Sequence, residues 1–146
     1  MAPRILLVPV VPQPPRPLLE VTAERLSAVF LCEVDLVEPL VPPSVARLDG
    51  GVLDPGPVRV AMGAYWGCGC RTRLVGVTGA RLRDGPATGG EMCTTPLLVR
   101  LGPGETGAVV RAVGQALGLG ACEDPGCALH PRVEPRLLCP VCRSHL

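Results

Sequence analysis

The apolar positions of this chain change period at proline- and glycine-rich breaks, and each period predicts an element. Residues 4–10, RILLVPV, are a continuous apolar run of strand length, as in a strand buried on both faces. In residues 17–30, Leu18, Leu19, Thr22, Leu26 and Val29 recur near helical spacing, and Pro17 suits a first helical turn. Residues 32–38, CEVDLVE, alternate, with Val34 and Leu36 opposite the acids, which predicts a half-buried strand. A strand, a helix and a strand in this order predict a parallel pair with a right-handed crossover.

The middle of the chain is punctuated more heavily. VPPSVARLDGG is a turn-rich connection, and residues 57–66 favour a short helix over a strand. Residues 72–78, TRLVGVT, read as a strand, extended by residues 80–82 after a bend at Gly79. Residues 83–92 have loop composition, and residues 95–101, TPLLVRL, predict another strand, at an edge. The strongest helix runs from Pro103 to Leu119. Val109, Val110, Val113, Ala116 and Leu117 give it an apolar stripe, and Glu105 suits its first turn. Gly118 and Gly120 end it, and Arg111 and Gln115, four apart, share its other face.

Composition narrows the class. With 146 residues and 47% hydrophobic content, a single folded domain is expected over residues 1–146. Phe30, Tyr65 and Trp66 are the only aromatics, so Val, Leu and Ala must build the core. A net charge of +1 gives no strong pull toward nucleic acid or membrane. There is no basic stripe with interleaved aromatics around residues 122–142, which argues further against nucleic acid. All fourteen basic residues are arginine, the mark of a high-GC bacterial or archaeal genome more than of function. No apolar run reaches membrane-spanning length, and the run at 5–11 is too short and too interrupted by proline for a secretory leader. The expected setting is the cytoplasm, where eight cysteines argue for metal binding over disulfides.

The cysteine spacing is specific. Cys122-x4-Cys127-x11-Cys139-x2-Cys142 contains two close pairs, and two such pairs complete a tetrahedron of thiolates around zinc. Pro125-Gly126 and Pro140 shape the turns that chelation requires. A closed four-thiolate site leaves no position for water, so the expected ion is one structural Zn²⁺. Few apolar residues follow position 121, chiefly Leu137, Leu138 and Val141, so metal would supply much of this segment's folding energy. Cys32, Cys68, Cys70 and Cys93 lack convincing ligand spacing and read as small buried residues; His130 and His145 read as neighbours of the zinc, not ligands.

Immediately before the cysteines the chain runs Arg111-Ala112-Val113-Gly114-Gln115-Ala116-Leu117-Gly118-Leu119-Gly120-Ala121-Cys122, followed by EDPG and Cys127-Ala128-Leu129. This stretch resembles the archaemetzincins, a metzincin family of zinc metalloproteases with the signature HExxHxxGxxHC, then x4-C-x-M and a later C-x2-C. RLVGVTGARL and ILLVPVV resemble the family's strands farther upstream. The resemblance implies an α/β metzincin-like fold, with a small mixed sheet on two main helices at about 17–30 and 104–119. It also implies a body over residues 1–120 and a C-terminal four-cysteine zinc-binding module over 121–146. The four cysteines match the family's. Its zinc-ligating histidines fall on Arg111, Gln115 and Ala121, its general base on Ala112, and its Met-turn methionine on Leu129.

A catalytic zinc needs neutral imidazoles or carboxylates and an open water position. The Arg111 guanidinium cannot be deprotonated and would repel a cation, while Ala112 cannot take a proton from water. The expectation is therefore a proteolytically inactive, archaemetzincin-like protein that is not an enzyme and that binds a peptide or protein. TPLLVRL or VGVTGARL would receive that ligand by strand addition. Two alternatives stand beside it. One is a different enzyme in the same cleft, with Arg111 and Gln115 holding an anion and Cys70 or Cys93 as nucleophile. The other is a decayed paralogue without a separate role. The oligomeric state is not legible.

Overall fold

The computed structural model describes residues 4–67, 71–90, 95–119, 122–123, 127–129 and 137–146. The first strand, β1 (Arg4–Val10), is followed by helix α1 (Arg16–Phe30) and strand β2 (Val34–Leu36). β1 and β2 pair in parallel, Ile5 opposite Val34 and Leu7 opposite Leu36, as the alternation predicts. Arg4 and Asp35 close the exposed start of this pair with a salt bridge.

The turn-rich connection folds as two short 3₁₀ turns, Ser44–Ala46 and Asp49–Gly51, leading into β3 (Val52–Leu53). Helix α2 (Pro55–Trp66) begins at Asp54, whose side chain accepts a hydrogen bond from the Gly56 N–H at 3.2 Å. Capping of this kind satisfies a helix-end donor. Strand β4 (Thr72–Thr78) follows and pairs in parallel with the whole of β1.

After Gly79 the chain does not extend β4. β5 (Arg81–Leu82) turns away and pairs with β3 in a separate two-stranded sheet. A second correction concerns residues 83–92, which hold a strand, β6 (Ala87–Gly89). It runs antiparallel to β7 (Leu97–Arg100), with Thr88 opposite Leu98. The main sheet has the order β2-β1-β4-β7-β6. β7 is therefore flanked on both sides, and the edge belongs to β6.

Helices cover both faces. Ile5, Leu7, Val75, Val77, Leu97 and Val99 pack against α1 and against α3 (Thr106–Ala116), while Val8, Leu74 and Leu98 pack against Val58 and Met62 of α2. Helices α1 and α3 sit where periodicity puts them, and α2, a third main helix beyond the two expected, completes an α/β/α sandwich. Gly76 shows how closely α2 approaches: a Cβ there would lie 2.8 Å from Met62 and 2.9 Å from Leu98. The last described element is a short helix, α4 (Pro140–Ser144). No helix among the described residues is long and apolar enough to cross a membrane.

Candidate metal centre and adjoining cleft

Helix α3 is the element shared by the two sites. It is shorter than the expected Pro103–Leu119: it spans Thr106–Ala116, and Glu105 is the N-cap and not part of the first turn. Its buried face carries Val109, Val110 and Val113 into the core beside α1, where Thr106 meets the buried Thr22 at 3.3 Å between hydroxyls. At the other end the Gly118 N–H bonds the Gln115 carbonyl and the Leu119 N–H bonds that of Gly114, with Gly118 at φ 86°. This is a Schellman stop, in which a left-handed glycine satisfies the last carbonyls. Arg73 of β4 donates to the Ala116 carbonyl at 3.2 Å and secures the same end.

One face of α3 meets the edge strand across a cleft of about 330 Å³. Its walls are Ala87, Thr88, Gly89, Gly90, Leu97, Ala112, Gln115 and Ala116. Ala112 and Gln115 thus both face the cleft. Arg111 lies on the helix but is not one of these wall residues, and Ala121 lies outside the described residues. The wall contains no carboxylate, imidazole or thiol among the described residues. Backbone crowding closes its end: a Cβ on Gly89 would lie 2.1 Å from the Pro96 carbonyl, and one on Gly90 would lie 2.9 Å from Ala116 Cβ.

Beyond the glycine stop, the four cysteines come together. The sulfurs of Cys122, Cys127, Cys139 and Cys142 all lie within 4.8 Å of one another, and Cys122 and Cys139 are 3.7 Å apart. Four thiolates held about 2.3 Å from a tetrahedral zinc lie about 3.8 Å from each other, so the set fits the ion. The Cys139 N–H donates to Cys127 Sγ at 3.4 Å, an outer contact of the type that orients a metal ligand. The site is asymmetric: Cys127 and Cys139 are buried and Cys122 and Cys142 half-buried, and Cys122, Cys139 and Cys142 line an open groove of about 740 Å³ together with His145.

The thiols are electrostatically unequal as well. The backbone N–H of Cys142 directed at the Cys139 sulfur, supported by the neighbouring thiols, holds Cys139 below its ordinary range. Burial, reinforced by the Cys122 and Cys139 thiols, pushes Cys142 strongly upward. Cys32 stands apart, half-buried with its thiol raised by burial, and its carbonyl accepts from the Ser27 hydroxyl at 2.8 Å. Cys68, Cys70, Cys93 and His130 lie outside the described residues.

Leu129 joins the two sites. It is 1% exposed and packs under Gly114, where a Cβ would lie 2.5 Å from its Cδ2. Cys127, Ala128, Leu129, Leu138 and Cys139 all belong to the core cluster of α1 and α3. The apolar support of the cysteine segment therefore differs from expectation. Leu137 and Val141 are exposed, and Ala128, Leu129 and Leu138 do the anchoring.

No protein-family model and no curated protein sequence matches the chain. Solved structures do. A zinc-dependent peptidase from Methanocorpusculum labreanum (strain Z) aligns with a TM-score of 0.66 at 18% identity, over 97% of this chain and 98% of that one. Archaemetzincin from Methanopyrus kandleri aligns with a TM-score of 0.64 at 16% identity, over 98% and 92%. The chain has an archaemetzincin-like fold. A third structure, archaemetzincin from Archaeoglobus fulgidus complexed with malonate, gives a TM-score of 0.58 at 15% identity, over 98% and 99%. The archaemetzincin-like fold spans nearly the whole chain, so the cleft and the cysteine set sit within one shared architecture.

The edge strand was invisible to local reasoning. Pro86-Ala87-Thr88-Gly89-Gly90 has turn composition, and only pairing with β7 makes it a strand. In the main sheet both stretches put forward for peptide addition are internal: β4 lies between β1 and β7, and β7 between β4 and β6, while the end of VGVTGARL forms β5 in the small second sheet.

Proposed function

We propose that this protein is a non-proteolytic member of the archaemetzincin-like fold, with one structural zinc in Cys122, Cys127, Cys139 and Cys142, acting by binding an extended peptide along β6. The observation that carries the reading is the composition of the cleft. Ala112 and Gln115 form its helix wall where the resemblance puts a general base and a zinc ligand. A methyl group can neither ligate a metal nor accept a proton, and a neutral amide is a poor substitute for imidazole. Bound zinc would tie two close cysteine pairs into a closed site and supply folding energy to the C-terminal segment.

Strand addition at β6 follows from topology. Among the described residues no strand pairs with β6 on the side away from β7, and such an edge is the usual template for an added strand. The anion-binding enzyme reading has less geometric support, because Arg111 is not among the wall residues that include Gln115. A quenched-fluorescent peptide library incubated with zinc-loaded protein tests the main reading. No cleavage is expected, and cleavage abolished by a chelator selective for a second, weaker zinc would overturn it.

A further inference from the structure

Arg59 of α2 and Arg100 of β7 are half-buried, and the Nε of each is buried without a hydrogen-bond partner. The guanidinium of Arg59 reaches Thr88 Oγ1 at 3.5 Å, a weak contact with a neutral group. Among the described residues neither arginine forms an ion pair, whereas Arg4, Arg16 and Arg83 pair with carboxylates at well-exposed positions. A charge withdrawn from water needs an opposite charge more than an exposed one does.

Their placement says where that charge would come from. Along β7, Leu97 and Val99 face α1 and α3, and Leu98 faces α2. Arg100 follows on the Leu98 side by strand alternation. Thr88 is opposite Leu98, and the Arg100 N–H donates to the Pro86 carbonyl at 2.8 Å. The two arginines therefore flank β6 on its α2 side, at levels two residues apart, about 7 Å along the strand. The α3 side of the same strand is the cleft.

We infer that the β6 edge selects an extended peptide with acidic side chains at alternate positions, those facing α2, where Arg59 and Arg100 receive them. The inference rests on the peptide-binding reading above and gives it a substrate class. A strand added to β6 continues the sheet alternation, so one set of its side chains enters the cleft and the other meets the two guanidinium groups. Acidic groups there supply the missing counter-charge through charge-assisted hydrogen bonds.

The test is fluorescence anisotropy with end-blocked extended peptides in matched pairs, Asp or Glu against Asn or Gln at alternate positions. The acidic member is expected to bind at least about tenfold more tightly at low salt, with the margin shrinking as salt rises. In Arg59→Gln, and in Arg59→Gln combined with Arg100→Gln, the pair should bind equally while the neutral peptide keeps its affinity. Thermal melting of each variant checks that the fold is intact. Equal binding of both peptides to the parent protein would overturn the acidic preference and leave strand addition standing. A preference that survives in the folded double variant would overturn the assignment to these arginines. No binding of either peptide would overturn strand addition itself.

Discussion

The face of helix α3 and the segment past its end differ in what they offer. Along its length the helix offers the cleft Ala112, Gln115 and Ala116, side chains suited to packing and not to metal or proton chemistry. Past its glycine stop, four thiols converge within 4.8 Å, a set suited to one metal. One is a site of shape and the other a site of ligands. The contrast teaches that one helix can present a packed wall along its face and lead into a ligand set past its end, because the two answer to different demands. Leu129 and Gly114 stand between them as pure packing, and their close fit ties the cysteine segment to the helix.

The comparison breaks most readily at the metal. Cys139→Ser removes a buried ligand thiol and keeps the backbone N–H that supports Cys127. Apparent zinc contributions in small modules reach about 10–16 kcal/mol. The substitution should abolish stoichiometric zinc and expose residues 122–146 to limited proteolysis, while β1, β4 and α1 stay protected from hydrogen exchange. Protection lost uniformly across the chain would mean that the segment is no separate ligand-held part.

Next comes the packing between the sites. Leu129→Ala should cost about 2–5 kcal/mol by chemical denaturation, the usual range for emptying a buried leucine site. Leu129→Met, nearly volume-conserving, should cost under about 1.5 kcal/mol. Equal losses would show that the contact with Gly114 is not a fitted one.

Acidity sharpens the metal side. In the metal-free protein Cys142 keeps its proton well above the ordinary thiol range, chiefly through burial. Zinc must expel that proton, so binding releases protons and tightens as the solution becomes more alkaline. Chelator competition between about pH 6 and about pH 8 should show affinity rising monotonically. Cys139, already held low, accounts for less of this dependence. A flat profile would contradict the assignment of four thiols as ligands.

The smallest expected effect is on the cleft. Ala112→Glu with Gln115→His introduces a carboxylate and an imidazole into the cleft wall but no ligand at 111 or 121, so peptide hydrolysis should stay at background and the zinc count should not rise. Hydrolysis by the double variant would mean that the cleft is nearer to chemistry than its walls indicate.

Much of this architecture is written locally. The apolar run of β1, the helical stripe of α1 and the stripe and glycine stop of α3 are read from spacing, because each buries a face of its own period. The cysteine set is legible because chelation demands short spacings. What spacing cannot give is neighbour order. β6 has turn composition and becomes a strand through β7, β5 leaves the main sheet, and β7 loses the edge that its sequence suggested. Arg59 and Arg100 look like ordinary surface arginines in the sequence, and only the fold buries the Nε of each.

The most direct measurement is the metal content of the purified protein under native mass spectrometry, paired with Cys139→Ser. The account predicts one zinc per chain in the parent and none in the variant. No zinc in the parent, or a second zinc that persists in the variant, would contradict it.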